Sequence, residues 1–156
     1  MTDAKRRYLQ SPIGWIEICG TDSEILAVEF VSRPRPKSEA SSHQLLEECA
    51  RQLEEYFAGC RRGFSLPLRL EGTLFQKLVW HALQQIPYGQ TVAYSDLAQR
   101  IGREKACRAV GAANHRNPVS IIIPCHRVVG RDGGLVGYGG GLWRKQWLLE
   151  HEKRKT

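Results

Sequence analysis

Apolar residues recur along this chain with two different periods, and the change between them divides it into elements. Ile13 to Cys19 and Ile25 to Val31 alternate between apolar and other side chains, the period-two signature of half-buried strands. Thr21-Asp22 between them supplies turn chemistry, so the two runs predict a β-hairpin, and Arg33-Pro34-Arg35-Pro36 ends its second strand. From about Ser42 to Phe57 the period lengthens to that of a helix, with Leu45, Leu46, Cys49, Leu53 and Phe57 on one face and Gly59 closing it. Gly63, Pro67 and a short apolar run within residues 60–71 predict a further strand and then a passage between two subdomains.

Beyond that passage the pattern is mostly helical. A helix is predicted from about Thr73 to Gln85, its buried stripe made by Phe75, Leu78, Val79 and Leu83, with Pro87-Tyr88-Gly89-Gln90 as the turn that follows. Ser95 is placed to cap a short helix ending near Gly102, and a second helix runs from about Lys105 to His115. Two short helices about a glycine-containing turn make a helix-turn-helix candidate. Ile121 to Val129 is an apolar, strand-like run interrupted at Pro124-Cys125-His126-Arg127, and Lys153, Arg154 and Lys155 read as a solvated, frayed tail. The fold class is therefore α+β, with an N-terminal sheet-plus-helix subdomain at 1–70 and a mostly helical C-terminal one at 71–156.

Charge sharpens this division. Residues 1–71 hold ten Lys/Arg against eleven Asp/Glu, whereas residues 72–156 hold thirteen against five, so the net +7 belongs entirely to the second half. A localised positive field points to a polyanion, most simply nucleic acid, although basic surfaces also occur on proteins that bind none. The five cysteines are odd in number and unpaired in spacing, which argues against a disulfide framework and for a reducing compartment. No stretch approaches the ~20 apolar residues needed to span a bilayer, and the basic N-terminus leads into no apolar signal segment, so a cytosolic location without membrane association is expected. Cys19, Cys49, Cys60, His43 and His81 are scattered without paired metal-ligand spacing, and no phosphate-binding glycine loop is completed by a lysine and a hydroxyl.

Cys125 is the candidate nucleophile. A thiol attacks as its thiolate, and His126 and Arg127 beside it offer local means of losing the proton; the competing reading is a packed thiol, since free cysteine behaves as a small hydrophobe. The predicted second helix carries Arg103, Lys105, Arg108 and Arg116 among Ala106, Ala109, Gly111, Ala112 and Ala113. Small side chains there suit shallow insertion against a minor groove with Arg108 as a single long probe, or equally tight packing on the first helix.

Pro124-Cys125-His126-Arg127-Val128-Val129 is preceded by Arg108-Ala109-Val110-Gly111 and Asn117-Pro118-Val119. It is followed by Gly137-Tyr138 and Trp147-Leu148-Leu149-Glu150-His151-Glu152. In order and spacing this set resembles the O6-alkylguanine-DNA alkyltransferases across the whole second half, and the first half is similar to that family's N-terminal subdomain in general layout. The resemblance implies an RNase H-like first subdomain and a winged-helix-like second one. It implies direct reversal of O6-alkylguanine damage, with O4-alkylthymine as a further candidate lesion, by a cytoplasmic monomer that acts on duplex DNA without a cofactor. Cys125 would accept the alkyl group irreversibly, once per molecule.

By the same resemblance His126 is the base, reached through a water, and Glu152 orients its imidazole. Tyr138 directs its phenol at the purine N3, and Asn117 ties the helix-turn-helix to the active-site segment. Reaching O6 requires the nucleotide to leave the stack, and Arg108 matches the family's finger while Tyr94 matches the residue pressing on the neighbouring phosphate. Ala109 and Arg116 accompany Arg108 as DNA-binding candidates. Gly139 stands where some relatives place a hydroxyl donor for O6, leaving its backbone N–H for that task. Glycines 133, 134, 137, 139, 140 and 141 make a flexible loop fit for a pocket wall. Two rivals remain: a non-catalytic sensor of alkylated DNA, and a thiol hydrolase or redox protein using the Cys-His pair.

Overall fold

A computed structural model describes residues 4–35 and 43–154 and divides the chain into two compact units. Pro36, Ser42 and Lys155, placed above at a strand end, a helix start and a basic tail, lie outside the described residues.

The first unit comprises the chain up to Leu70 together with Pro118–Ser120. Its sheet has three antiparallel strands in the order β1 (Lys5–Ser11), β2 (Gly14–Gly20) and β3 (Ile25–Val31). The predicted hairpin is β2–β3; β1 was not anticipated. Helix α1 (Gln44–Phe57) lies against β1 and β2 and buries Leu46, Cys49, Ala50, Leu53 and Tyr56, while Leu45 and Phe57 of the predicted stripe are only half-buried. Opposite them Ile16, Ile18, Ile25 and Val28 are shielded from solvent, each such side chain contributing roughly 1.5–3 kcal/mol. The strand expected within 60–71 is a single parallel bridge, Ile25 to Leu68, because Pro67 has no N–H with which to extend a ladder. A second parallel bridge joins Val28 to Val119, with Val28 N donating to Pro118 O and Ser120 N to Val28 O, both at 2.9 Å.

The second unit contains Glu71–Asn117 and the chain from Ile121 onward. Helix α2 (Leu74–Leu83) starts with a capping box: Thr73 Oγ1 accepts from Gln76 N and Gln76 Oε1 accepts from Thr73 N, each at 3.0 Å. Its buried residues are Val79, Trp80 and Leu83; Leu78 of the predicted stripe is exposed, and Trp80 takes its place, donating Nε1–H to Ala113 O at 2.9 Å. A two-residue strand β4 (Val92–Ala93) leads into α3 (Tyr94–Arg100), and α4 (Cys107–His115) follows. Ser95 does not cap α3; the Asp96 carboxylate accepts from Ala93 N at 3.3 Å instead. Gly102 makes the intervening turn at φ 71°, a conformation costly for residues with a Cβ. The short strand β5 (Val128–Val129) pairs parallel with β4, and a helix not foreseen, α5 (Leu142–Arg154), ends the unit. Lys153 and Arg154 are therefore the exposed last turn of α5 rather than a frayed tail. Among the described residues no helix is long and apolar enough to cross a membrane.

Candidate active site

The run from Ile121 to Val129 is not a strand through its length. Within it only Val128–Val129 form a strand, and Cys125–Arg127 form one turn of 3₁₀ helix after Pro124. At three residues per turn, successive side chains diverge by roughly 120°, so Cys125, His126 and Arg127 point three ways from one short segment. Asn117 fixes the approach to this turn, donating Nδ2–H to Ile123 O at 2.7 Å. Ile121 adopts φ 72°, strain of about 1–3 kcal/mol for such a residue, and its nearly complete burial holds it there.

Cys125 is 6% exposed, and burial pushes its thiol up to about 11, against the opposing pull of an Asn117 hydrogen bond and the nearby Lys145 charge. Ionisation therefore depends on handing the proton to a base. His126 is fully buried, with Nε2 2.7 Å from Glu152 Oε2 and no partner for Nδ1 among the described residues. Burial lowers its pKa below 6.5, more than the adjacent carboxylate restores, so the ring is neutral at neutral pH.

Glu152, on α5, is 1% exposed. Burial opposes its ionisation, but His126 and a two-point ion pair with Arg127 outweigh that and hold the carboxyl far below the usual range. Arg127 Nε donates to Oε1 at 2.8 Å and Nη2 to Oε2 at 3.0 Å, while Nη1 reaches Ile86 O at 2.7 Å. Gly89 N adds a 3.3 Å contact to Oε1. The expectation that Arg127 acts on the thiol is thus corrected: the turn swings its guanidinium onto Glu152. An ionised carboxylate only accepts, so Nε2 carries the imidazole proton and Nδ1 keeps the lone pair. This is the arrangement of a general base held in one tautomer.

Sequence reasoning missed two further buried polar residues. Lys145 of α5 has no solvent exposure; Nζ donates to Val136 O at 2.6 Å and Gly137 O at 3.3 Å and lies 5.9 Å from the Tyr94 ring centroid. Burial lowers its pKa to about 8. Arg144 adds a 2.7 Å bond to Gly140 O, so two side chains of α5 together bond three carbonyls of the glycine loop. The loop presents Tyr138, 8% exposed, and Gly139, whose absent Cβ would stand 3.9 Å from His115 O at the end of α4. The other missed residue is Asn114 on α4, 3% exposed beside Cys125 and Tyr94. A lysine on a basic helix and an asparagine in a polar run carry no burial signal in one sequence.

The DNA-binding candidates share one unit. Tyr94, half-buried at the start of α3, points its hydroxyl at Val136 O at 3.5 Å, and Gly111 leaves room beside its ring. On α4, Arg108, Ala109 and Ala112 are exposed, as is Arg116 just after its end, whereas Val110 and Ala113 face inward. The small residues therefore split: Ala113 packs, while Ala109 and Ala112 leave a shallow surface around Arg108. Among the described residues, all five cysteines are free thiols and no group of His, Cys, Asp or Glu is arranged to hold a metal.

Residues 74–154 match the family description "6-O-methylguanine DNA methyltransferase, DNA binding domain", and residues 4–70 match "6-O-methylguanine DNA methyltransferase, ribonuclease-like domain". The chain is 47% identical to a methylated-DNA--protein-cysteine methyltransferase of Methanosarcina acetivorans over 147 residues, 92% of this chain and 94% of the relative. It is 45% identical to one from Mycobacterium leprae over 153 residues, covering 96% and 93%. The fold resembles a crystal structure of the Mycobacterium tuberculosis O6-methylguanine methyltransferase (TM-score 0.86, 40% identity, 99% and 95% of the two chains). It also resembles the Mycobacterium tuberculosis structure in complex with DNA (TM-score 0.89, 42% identity, 97% and 94% covered).

Proposed function

Because the chain belongs to the 6-O-methylguanine DNA methyltransferase family, we propose that it repairs O6-alkylguanine in duplex DNA by moving the alkyl group onto Cys125. The observation that carries this reading is the single turn that sets Cys125 beside His126, whose Nε2 is fixed on Glu152 at 2.7 Å while Nδ1 stays available. His126 Nδ1 takes the thiol proton through a bridging water, and the thiolate attacks the alkyl carbon attached to O6. The sulfur–carbon bond forms as the carbon–oxygen bond breaks, and the electron pair stays on the guanine, stabilised by hydrogen bonds from Tyr138 to N3 and from Gly139 N–H to O6. The thioether has no route back to a thiol, so each molecule acts once.

The lesion enters by leaving the helix. Arg108, with Ala109 on the exposed face of α4 and Arg116 at its end, lies against the minor groove and fills the gap, while Tyr94 presses on the neighbouring phosphate. Asn117 keeps this helix pair in register with the active-site turn. Residues 1–70 form the N-terminal domain and 71–156 the domain that binds DNA and takes up the alkyl group; the protein works as a monomer in the cytoplasm, where the Cys125 thiol stays reduced. O4-alkylthymine is a further candidate substrate.

Incubation with duplex DNA bearing O6-methylguanine is expected to raise the intact mass by one CH₂ unit, located on Cys125 by peptide mapping, with plain guanine left in the DNA. An unmodified Cys125 in folded protein sinks this reading, and leaves the damage sensor if the lesion is nonetheless bound. Turnover of a small ester would instead favour the hydrolase. The transfer rate is expected to be level across neutral pH and to fall by about tenfold per unit once the pH drops through the lowered pKa of His126, below 6.5. A rate that already falls between pH 8 and 7 would remove His126 as the base.

A further inference from the structure

Asn114 is a buried amide whose hydrogen bonding the steps above leave unused. Its Nδ2 is 3.5 Å from both Tyr94 Oη and Cys125 O, at the limit of a hydrogen bond, and its Oδ1 is buried without a partner among the described residues. The orientation of the amide is fixed by chemistry: Cys125 O only accepts, so the NH₂ side must face it and Oδ1 must face away. A buried carbonyl oxygen without a donor is destabilising, and native structures rarely leave one unless something else completes it. Here it stands on the helix that carries Arg108, next to the nucleophile.

The chemistry of the lesion names the missing donor. Alkylation at O6 removes the proton from N1, so O6, N1, N3 and N7 are all without hydrogen, and the exocyclic N2 amine is the base's remaining N–H donor. We propose that Asn114 is a specificity-determining residue whose Oδ1 accepts a hydrogen bond from the N2 amine of the everted O6-alkylguanine. This rests on the reading that the base is seated beside Cys125. O4-alkylthymine has lost its N3 proton and offers no N–H donor, so it leaves Oδ1 unsatisfied and is selected against. The same amide that looks like a packing defect in the free protein thus becomes a test for a 2-aminopurine.

The experiment compares two duplexes identical except that one carries O6-methylguanine and the other O6-methylhypoxanthine, which lacks only the N2 amine. Wild-type protein is expected to prefer the guanine lesion by about tenfold, the size of one good hydrogen bond. In Asn114→Leu the ratio of the two rates should fall towards parity, because reaction with O6-methylguanine slows more than reaction with O6-methylhypoxanthine. Both substrates are given to one preparation, so the ratio does not depend on the folded fraction; should Asn114→Leu fold too poorly to react, Asn114→Ser gives the same readout. A preference that survives in the variant, or equal slowing of both substrates, overturns the role of Asn114. Wild-type protein that demethylates neither duplex removes the alkyltransferase reading itself, whereas equal reaction with both removes only Asn114.

Discussion

Replacing Glu152 with alanine is expected to lower the thermal midpoint by about 10 °C and to slow alkyl transfer by about 10²-fold or more. The stability loss comes from Arg127. Arg127 is 6% exposed and would lose both ion-pair contacts while keeping Ile86 O and the Tyr88 ring 5.6 Å away, and a buried charge stripped of its partner costs about 3–5 kcal/mol. The rate loss comes from His126, which loses the 2.7 Å acceptor that fixes its tautomer. Glu152→Gln separates the two effects, because the amide keeps the shape of the contact but not the charge that secures Nε2–H. It should recover part of the stability and little of the rate. Because the carboxyl is depressed, its contribution is complete above 4.5 and is lost as the pH falls below that value through the lower native pKa, so the wild type should lose more stability there than Glu152→Ala does. A Glu152→Ala protein that melts with the wild type and transfers at its rate would mean that the buried network is incidental.

The residues of that network show where sequence ends as a guide. Cys125 and His126 were singled out from their neighbours in the chain and Glu152 by resemblance in order and spacing, and that ordering survives folding because all three lie in one unit. Arg127 was misjudged because adjacency in sequence was read as adjacency in space; one 3₁₀ turn separates neighbouring side chains by roughly 120° and sends the guanidinium to the far side of the imidazole. Lys145 and Asn114 escaped notice because polar residues default to the surface in any pattern-based reading, and only the packed structure reveals that they are enclosed.

The elements divide in a similar way. Strands β2 and β3 are rich in apolar residues and were legible, whereas β1 reads Lys-Arg-Arg-Tyr-Leu-Gln-Ser and buries only Leu9, so it is held by pairing with β2 more than by an apolar pattern. Helix α2 was legible in extent but not in rotation. Most of Leu-Phe-Gln-Lys-Leu-Val-Trp-His-Ala-Leu is apolar, so several stripes fit its periodicity, and tertiary contact of Trp80 with Ala113 decides which face turns inward. The opposite difficulty hid α5, where buried Lys145, His151 and Glu152 interrupt the apolar stripe.

Arg108→Ala is expected to slow repair in duplex DNA by about 100-fold while changing the reaction with free O6-benzylguanine by no more than about twofold. Extruding a nucleotide costs a few kcal/mol of lost stacking and pairing, and a side chain that fills the vacated space returns part of that cost only when there is a stack to leave. The surface around it favours this role over phosphate binding: Arg108 stands exposed beside Ala109 and Ala112, short side chains that allow α4 close to the groove floor while the guanidinium projects beyond them. The alternative makes a different prediction. A guanidinium that only neutralises a phosphate would, when removed, reduce the salt dependence of binding by about one unit of slope and weaken damaged and undamaged DNA alike. A finger instead leaves the salt slope nearly intact and places its loss in the step after binding, so single-turnover rates at saturating duplex should carry the defect. Arg108→Lys should recover little of it, since an ammonium is compact and strongly hydrated and neither stacks nor spans the gap as a planar guanidinium does. Equal losses on duplex and free base would place Arg108 in the chemistry or the fold, and eversion would then need another wedge on the exposed face of α4.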